Sequence, residues 1–354
     1  MISLLHATQA LIALALVVVL AEIVHAQDAA RTYDNRLSPI KNPVPLLADH
    51  PHYVEPIRTG PRFEAAMLID DEGADLEVRA WRFSYNARGI IEVPNRLSAK
   101  KTALIVVHPW GIDDGQGWSS PEPNGVAFQC TPFKNKLVLK HMEEVINPLL
   151  KTHRGLVGLV GYSLPGTEDA IRKKVYRSVR QKPSDSQRQE GATELAAKLK
   201  SFKYEGQPLL KELKVSSDRP VVDYFKQFPG LDSGSRFNNA GFWDLPIPVA
   251  KPIDVAAKDV VFYDAEGYSL VKDFLQKNGI RHVLLTGYNT DMCVISTTCG
   301  YKNFRQDFNV FLVGDATIAT FPAHDTPKYA TTAAVSFAAL DLFITQTSWI
   351  KTLK

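Results

Sequence analysis

The sequence predicts a three-layer α/β sandwich on a mainly parallel sheet, with an N-terminal β-rich extension. Three observations lead there. Apolar runs of strand length at 102–107 (TALIVV), 260–263 (VVFY) and 283–286 (VLLT) do not alternate, as expected of parallel strands buried on both faces. Helical patterns separate these runs, and strand–helix alternation implies a parallel sheet with crossover helices. Ahead of them, residues 63–94 alternate apolar and polar side chains around turn sequences, the pattern of half-buried strands.

Taken in order, residues 28–62 are rich in Pro, Asn and Asp without a sustained period and read as an extended arm. Three strands are expected in 63–94, within EAAMLID, LEVRAWRFSYN and GIIEVP. After the strand at 102–107 comes a long loop, 109–132, then a helix over 137–150 and a second strand at 155–160 (GLVGLV). Residues 168–219 are polar and read as a surface insertion with a helix over 193–202. The last third predicts a strand at 260–263 and a helix over 270–277 stopped by Asn278-Gly279, a left-handed cap. A strand at 283–286, a helix over 293–304, a strand at 310–313 and an amphipathic helix over 329–345 complete it. The implied domains are 1–26 as a signal peptide, 27–100 as arm and β-rich extension, and 101–354 as the main domain.

Composition bounds the function. Of 354 residues, 45% are hydrophobic and 22% charged, which are globular values. A formal charge of +3 gives no reason to expect nucleic acid or an anionic membrane as partner. Residues 10–21 (ALIALALVVVLA) have the length of a signal-peptide h-region and lead to Val24-His25-Ala26, a cleavage-site pattern. The stretch is shorter than the roughly 20 residues a membrane span needs. Export to a periplasmic or extracellular space is expected, with no stable membrane span after cleavage; a retained anchor is the alternative. The three cysteines, Cys130, Cys293 and Cys299, are an odd number, so at least one thiol is unpaired.

Cys293 stands in the most informative segment, VLLTGYNTDMCVISTTCGYKNF. A buried strand ends at Thr286, Gly287 allows a sharp turn, and Thr290 or Asp291 is placed to cap a helix starting near Cys293. A thiol at a helix N-terminus feels the positive end of the dipole, which favours thiolate. The backbone N–H groups of Met292 and Cys293 are candidate donors to a developing oxyanion. The opposite reading is an inert buried cysteine, the common fate of free thiols.

GYNTDMCVISTT resembles the Gly-x-x-Thr-x-x-Cys-Val-x-x-Thr signature of isochorismatase-like cysteine hydrolases, a group that includes nicotinamidases. VFLVGDATIAT, GYSLVKDFLQKNGIRHVLLTG and TALIVVHPW extend the resemblance from Thr102 to the C-terminus. It implies a hydrolase acting on a C–N or related bond of a small molecule through a covalent cysteine intermediate, without cofactor. It also implies that the chain assembles with copies of itself. The family's triad is Asp–Lys–Cys. Its Cys corresponds to Cys293; its Asp position holds His108; its Lys position falls near Asp264 or Ala265, where there is no Lys. His108 is therefore the candidate base, with Glu266, Asp113 or Asp114 as candidates to orient it. Tyr288-Asn289 matches the family's cis-peptide position, and Trp110 and Tyr268 are candidate pocket walls.

Two other readings stand beside this one. A catalytically inactive binding or structural protein on the same fold is suggested by the replaced Asp and absent Lys. A serine hydrolase is suggested by Gly161-Tyr162-Ser163-Leu164-Pro165, with His324 as base, although the closing Gly of a nucleophile elbow is missing. Asp113-Asp114 with His141 or His153 raises metal binding, but they form no compact ligand motif, so no metal is expected. Trp118, Phe242 and Trp243 are candidates for pocket wall or core.

Overall fold

The apolar run at 102–107 forms the middle of the sheet. In the computed structural model, which describes residues 31–110, 132–201, 212–226, 245–319 and 346–353, β5 (Thr102–Val107) is buried at every position and lies between β9 (His282–Tyr288) and β6 (Leu159–Leu164). β8 (Val260–Tyr263) and the short β7 (Arg177–Ser178) continue beyond β6, and β10 (Asn309–Ile318) and β11 (Gln346–Thr352) beyond β9. All these neighbours are parallel. The mainly parallel sheet predicted from unbroken apolar strands is what forms.

The N-terminal β-rich extension adds to the β11 edge. β3 (Leu76–Ser84) pairs antiparallel with β11 and with β4 (Gly89–Leu97); β2 (Arg62–Glu64) and β1 (Ser38–Pro39) follow. EAAMLID contributes little of a strand, because only Glu64 of it lies in β2. Glu92 is buried at 2% exposure and is compensated on both sides by Arg62 and Arg79, the pairing a buried carboxylate requires. His282 Nε2, at the start of β9, lies 2.9 Å from Asp71 Oδ2, which also accepts the Ser98 N–H. This ties the extension to the central strands. The described residues 31–36 belong to a separate unit, Met1–Arg36, and run without regular structure.

Side-chain alternation divides the core into two layers. Leu104, Val106, Tyr162, Val261 and Leu284 meet Met142, Val145, Ile146 and Leu150 from the helical run 132–153 on one face. Ile105, Val107, Phe262, Val283 and Leu285 meet Val271, Leu275, Tyr301 and Phe304 on the other. The 137–150 expectation thus grows into a longer run interrupted by a π-helical turn at Met142–Ile146. The polar stretch after Glu168 contains the helices Ala170–Val175 and Asp185–Ser201. The first is capped by Asp169, which accepts from Ile171 N–H and Arg172 N–H at 2.9 Å.

Two expectations are corrected. The strand after the helical run is LVGYSL, not GLVGLV. Gly155 to Gly158 complete the turn, where the Gly158 N–H goes to the Ala99 and Thr102 carbonyls and a side chain would collide with Lys100 O at 2.1 Å. The expected helix over 293–304 is two single turns, Cys293–Ser296 and Tyr301–Phe304. Thr297 leaves helical geometry at ψ −179°; its Oγ1 bonds back to the Cys293 carbonyl at 2.8 Å, a Ser/Thr back-bond that competes with helix continuation. The residues of the candidates at 10–21, 113, 114, 118, 130, 242, 243, 324 and 329–345 lie outside the described residues. Among the described residues no helix is long and apolar enough to cross a membrane.

Candidate active site

Three strands deliver three side chains at their carboxyl ends, where ligands sit in open parallel sheets. His108 follows β5, Asp264 follows β8, and Cys293 follows β9 by one turn. His108 adopts φ 47°, a conformation uncommon outside glycine and enriched at functional sites. Its N–H takes the Ser163 carbonyl at 3.1 Å, and its own carbonyl takes the Trp110 N–H at 2.9 Å.

His108 Nε2 lies 2.5 Å from Asp264 Oδ2. A carboxylate accepts, so Nε2 carries a proton toward Asp264, and Nδ1 is the nitrogen left for Cys293, whose thiol also acts on the ring. Burial pulls the imidazole pKa down. The hydrogen bonds to Asp264 and Cys293 and the charges on both outweigh burial and hold it up, at about 10. Asp264 is itself fixed from two sides: its Oδ1 accepts from Ser163 Oγ at 3.4 Å, and its backbone carbonyl from Thr298 Oγ1 at 2.7 Å. The second bond runs from the segment after the nucleophile turn, so the acid and cysteine loops are held together.

The turn carrying Cys293 depends on close backbone approach. Gly287 has φ 108°, and a Cβ there would lie 2.1 Å from Val107 O, so only glycine lets β9 run this close to β5. The Tyr288–Asn289 peptide is cis, at the position where the sequence placed it. Asn289 O accepts from Met292 N–H at 3.0 Å and from Val294 N–H at 3.2 Å. This corrects one expectation: the Met292 N–H is occupied within the turn. The Cys293 N–H has no backbone acceptor among the described residues and is the donor left for an oxyanion. The residue before the helical turn makes no side-chain cap; Thr290 Oγ1 bonds Thr317 Oγ1 at 2.6 Å instead. With a single turn behind it, Cys293 gains little from a helix dipole, and His108 is the charge beside it.

Other predicted residues are distributed as follows. Trp110 is buried with its ring 6.1 Å from the His108 ring, as a wall residue would be. The Glu266 carboxylate is engaged by Arg180 and by the Glu168 N–H at 3.5 Å; the carboxylate on His108 is Asp264. Tyr268 donates to Asp307 at 2.7 Å and packs edge-on against Phe304. Ser163 lies inside β6, opposite Val107, with no exposure. A nucleophile elbow needs its serine exposed on a strand-to-helix turn, so this placement does not suit one. Among the described residues no group of three or more His, Cys, Asp or Glu is arranged to hold a metal ion. From the sequence, the Lys position of the resembling family falls near Asp264 or Ala265, and it is Asp264 that reaches His108. Against the resembling family's pattern, a base stands at the acid's position on one strand and an acid near the base's position on another.

Residues 250–340 match the family model described as the isochorismatase domain. That segment of the chain is isochorismatase-like. It contains β8, Asp264, β9, the Cys293 turn and β10, while His108 precedes it. Solved structures similar to this chain include a pyrazinamidase of Pyrococcus horikoshii in complex with zinc, 14% identical, covering 70% of this chain and 99% of that one with a TM-score of 0.32. An isochorismatase family protein from Burkholderia thailandensis is 16% identical, with 70% and 92% covered and a TM-score of 0.33. A pyrazinamidase/nicotinamidase from Streptococcus mutans is 13% identical, with 69% and 99% covered and a TM-score of 0.31. No curated protein matches the chain. The isochorismatase-like segment therefore brings the cysteine and the acid, and the preceding strand brings the histidine.

Proposed function

We propose that this protein is a cysteine hydrolase that cleaves a C–N or related bond in a small molecule, with Cys293, His108 and Asp264 as its triad. The observation that carries the reading is the Asp264 carboxylate 2.5 Å from His108 Nε2, on a ring whose pKa the Cys293 thiol also raises. Cys293 attacks as the thiolate of an ion pair with the His108 imidazolium, whose Nδ1 already holds the proton, and its sulfur adds to the carbonyl carbon. The Cys293 N–H stabilises the oxyanion. Collapse expels the amine, which takes the proton from His108, and leaves a thioester. Water then gives a proton to His108 and adds to the thioester. Collapse releases the acid product and expels the Cys293 thiolate, and the proton taken from water stays on His108, which restores the ion pair. Asp264 keeps the ring in one tautomer and stabilises the imidazolium throughout, the role of the acid in other nucleophile–His–acid triads.

A further feature supports a substrate with N–H groups. Asn289 Oδ1 is buried, four residues from Cys293, and has no partner among the described residues. A buried acceptor without a donor costs about 1–3 kcal/mol, and an amide N–H of the substrate would relieve that.

Peptide mapping after brief iodoacetamide treatment at pH 7 tests the assignment. Cys299 is an internal control, because it is fully buried and its thiol is pushed well above the usual range by burial and by the Asp264 charge. Cys293 is expected to label rapidly, Cys299 not at all, and His108→Gln to slow Cys293 labelling at least tenfold. Labelling of Cys293 no faster than in the denatured chain would falsify the nucleophile assignment.

A further inference from the structure

A cavity lies on the opposite core layer from Cys293. It has a volume of about 200 Å³ and sits between the helix Asn147–His153, β10, β11 and the segment at 49–50. Leu149, Val313 and Ile350 form its apolar wall, and Asp315, His153 and Asp49 supply polar groups. Val313 belongs to the layer that packs on the helical run 132–153, whereas Cys293 packs on the other layer. No residue lining the cavity is one of the triad.

Two buried groups in this cavity lack what they need. His153 is 5% exposed, and its Nε2 has no hydrogen-bond partner among the described residues. Its Nδ1 lies 2.9 Å from the Leu149 carbonyl. A carbonyl only accepts, so Nδ1 carries the hydrogen, and in the neutral ring Nε2 is an acceptor without a donor. Asp315 is also 5% exposed. Burial, and then the charge of Asp49, push its carboxyl up to about 7. Among the described residues no Lys or Arg lines the cavity. His50 at the rim is held below its ordinary pKa by burial, against the charges of Asp49 and Glu144, and so adds little positive charge near neutrality. A carboxyl, a second carboxylate at the rim and a bare imidazole nitrogen all call for hydrogen-bond donors and positive charge.

We infer that this cavity is a binding site for a small alkylammonium ion, whose N–H groups would meet Asp315 and His153 while its chain lies on Leu149, Val313 and Ile350. The volume is below the roughly 300–1,000 Å³ of drug-sized pockets, which fits a ligand of only a few heavy atoms. The site is separate from the proposed triad and does not depend on the hydrolase reading.

Calorimetric titration of the full chain at pH 7.5 with n-butylammonium, 1-butanol and butyrate tests this. The three probes share a chain of the same length and differ in the polar end. The ammonium is expected to bind at least about tenfold more tightly than the alcohol, the scale of one charge-assisted contact, and butyrate not to bind. Asp315→Asn should remove the preference for ammonium over alcohol, and His153→Phe should weaken ammonium binding without abolishing it; thermal melts establish that both variants fold. Cys293→Ala should leave binding unchanged. The inference is overturned if no probe binds, if the alcohol binds as tightly as the ammonium, if butyrate binds best, or if Cys293→Ala removes ammonium binding, which would move the site to the triad.

Discussion

The proposed triad differs from the pattern of the family it resembles by an exchange of charges between two strands. The family's acid position holds His108 and the position near its lysine holds Asp264, and the two side chains meet at 2.5 Å. An acid–base pair is thereby kept beside the cysteine with its polarity reversed. The His108 imidazolium persists to about pH 10 because Asp264 and Cys293 outweigh burial. Removing the Asp264 charge takes away the largest contribution that opposes burial, so Asp264→Asn should lower the His108 pKa. The alkaline limb of the kcat/KM profile should then shift from about pH 10 by at least one unit toward neutrality, with kcat reduced by about 10²- to 10⁴-fold. An unmoved limb would show that His108 is not the titrating group. Each half of this exchange was visible in the sequence, but taken singly each half removes a known catalytic group. Their compensation needs two residues 156 apart in sequence to meet at the ends of β5 and β8, on either side of β6, and that is a property of the sheet.

At the scale of elements, legibility follows burial. TALIVV and VVFY are strands at their predicted bounds, because a strand buried on both faces is apolar throughout and its ends show as changes of composition. GLVGLV misled because two glycines and apolar residues suit a turn as well as a strand, and only the crowding at Gly158 decides between them. The segment after Cys293 has helical composition, but Thr297 closes the first turn by back-bonding to Cys293. The β9 end depends on Gly287 more than on any neighbouring residue. Gly287→Ala combines a left-handed φ with a Cβ 2.1 Å from Val107 O, so the strands must separate. A loss of roughly 3 kcal/mol or more is expected, the sum of backbone strain and overpacking, together with loss of Cys293 labelling. Denaturant midpoints and the same peptide mapping check it; a variant as stable and as reactive as the parent chain would contradict the close-approach argument.

Across the whole molecule, buried titratable groups pull stability in opposite directions with pH. His141 is buried between Tyr288 Oη at 2.6 Å and the Asp315 carbonyl at 3.0 Å. Burial holds its pKa at about 3, far below the unfolded value. The unfolded chain therefore takes up this proton first, and the contribution of His141 is complete above about pH 6.5 and erodes as pH falls toward 3. His282, lowered by burial, acts in the same sense. Asp315 does the reverse. Its folded pKa, at about 7, lies above the ordinary 3.8, so folding favours the protonated form. Its contribution is present at low pH and is lost as pH rises to 7. At about 1.4 kcal/mol per pH unit, keeping this carboxyl in place costs roughly 4 kcal/mol above pH 7. Since His141 and Asp315 nearly cancel between about pH 4 and 6.5, the intact chain should show a shallow acid dependence that conceals both. Asp315→Asn should raise the denaturant midpoint at pH 8 and steepen the loss of stability on acidification, while His141→Gln should reverse that slope at the expense of overall stability. A group that costs this much stability in the apo protein is the kind retained for binding. A ligand that ionises Asp315 and neutralises its charge should recover part of that cost. Added n-butylammonium should therefore raise the midpoint of the intact chain at pH 8 and leave that of Asp315→Asn unchanged; equal shifts in the two proteins would show that the carboxyl costs stability for some other reason.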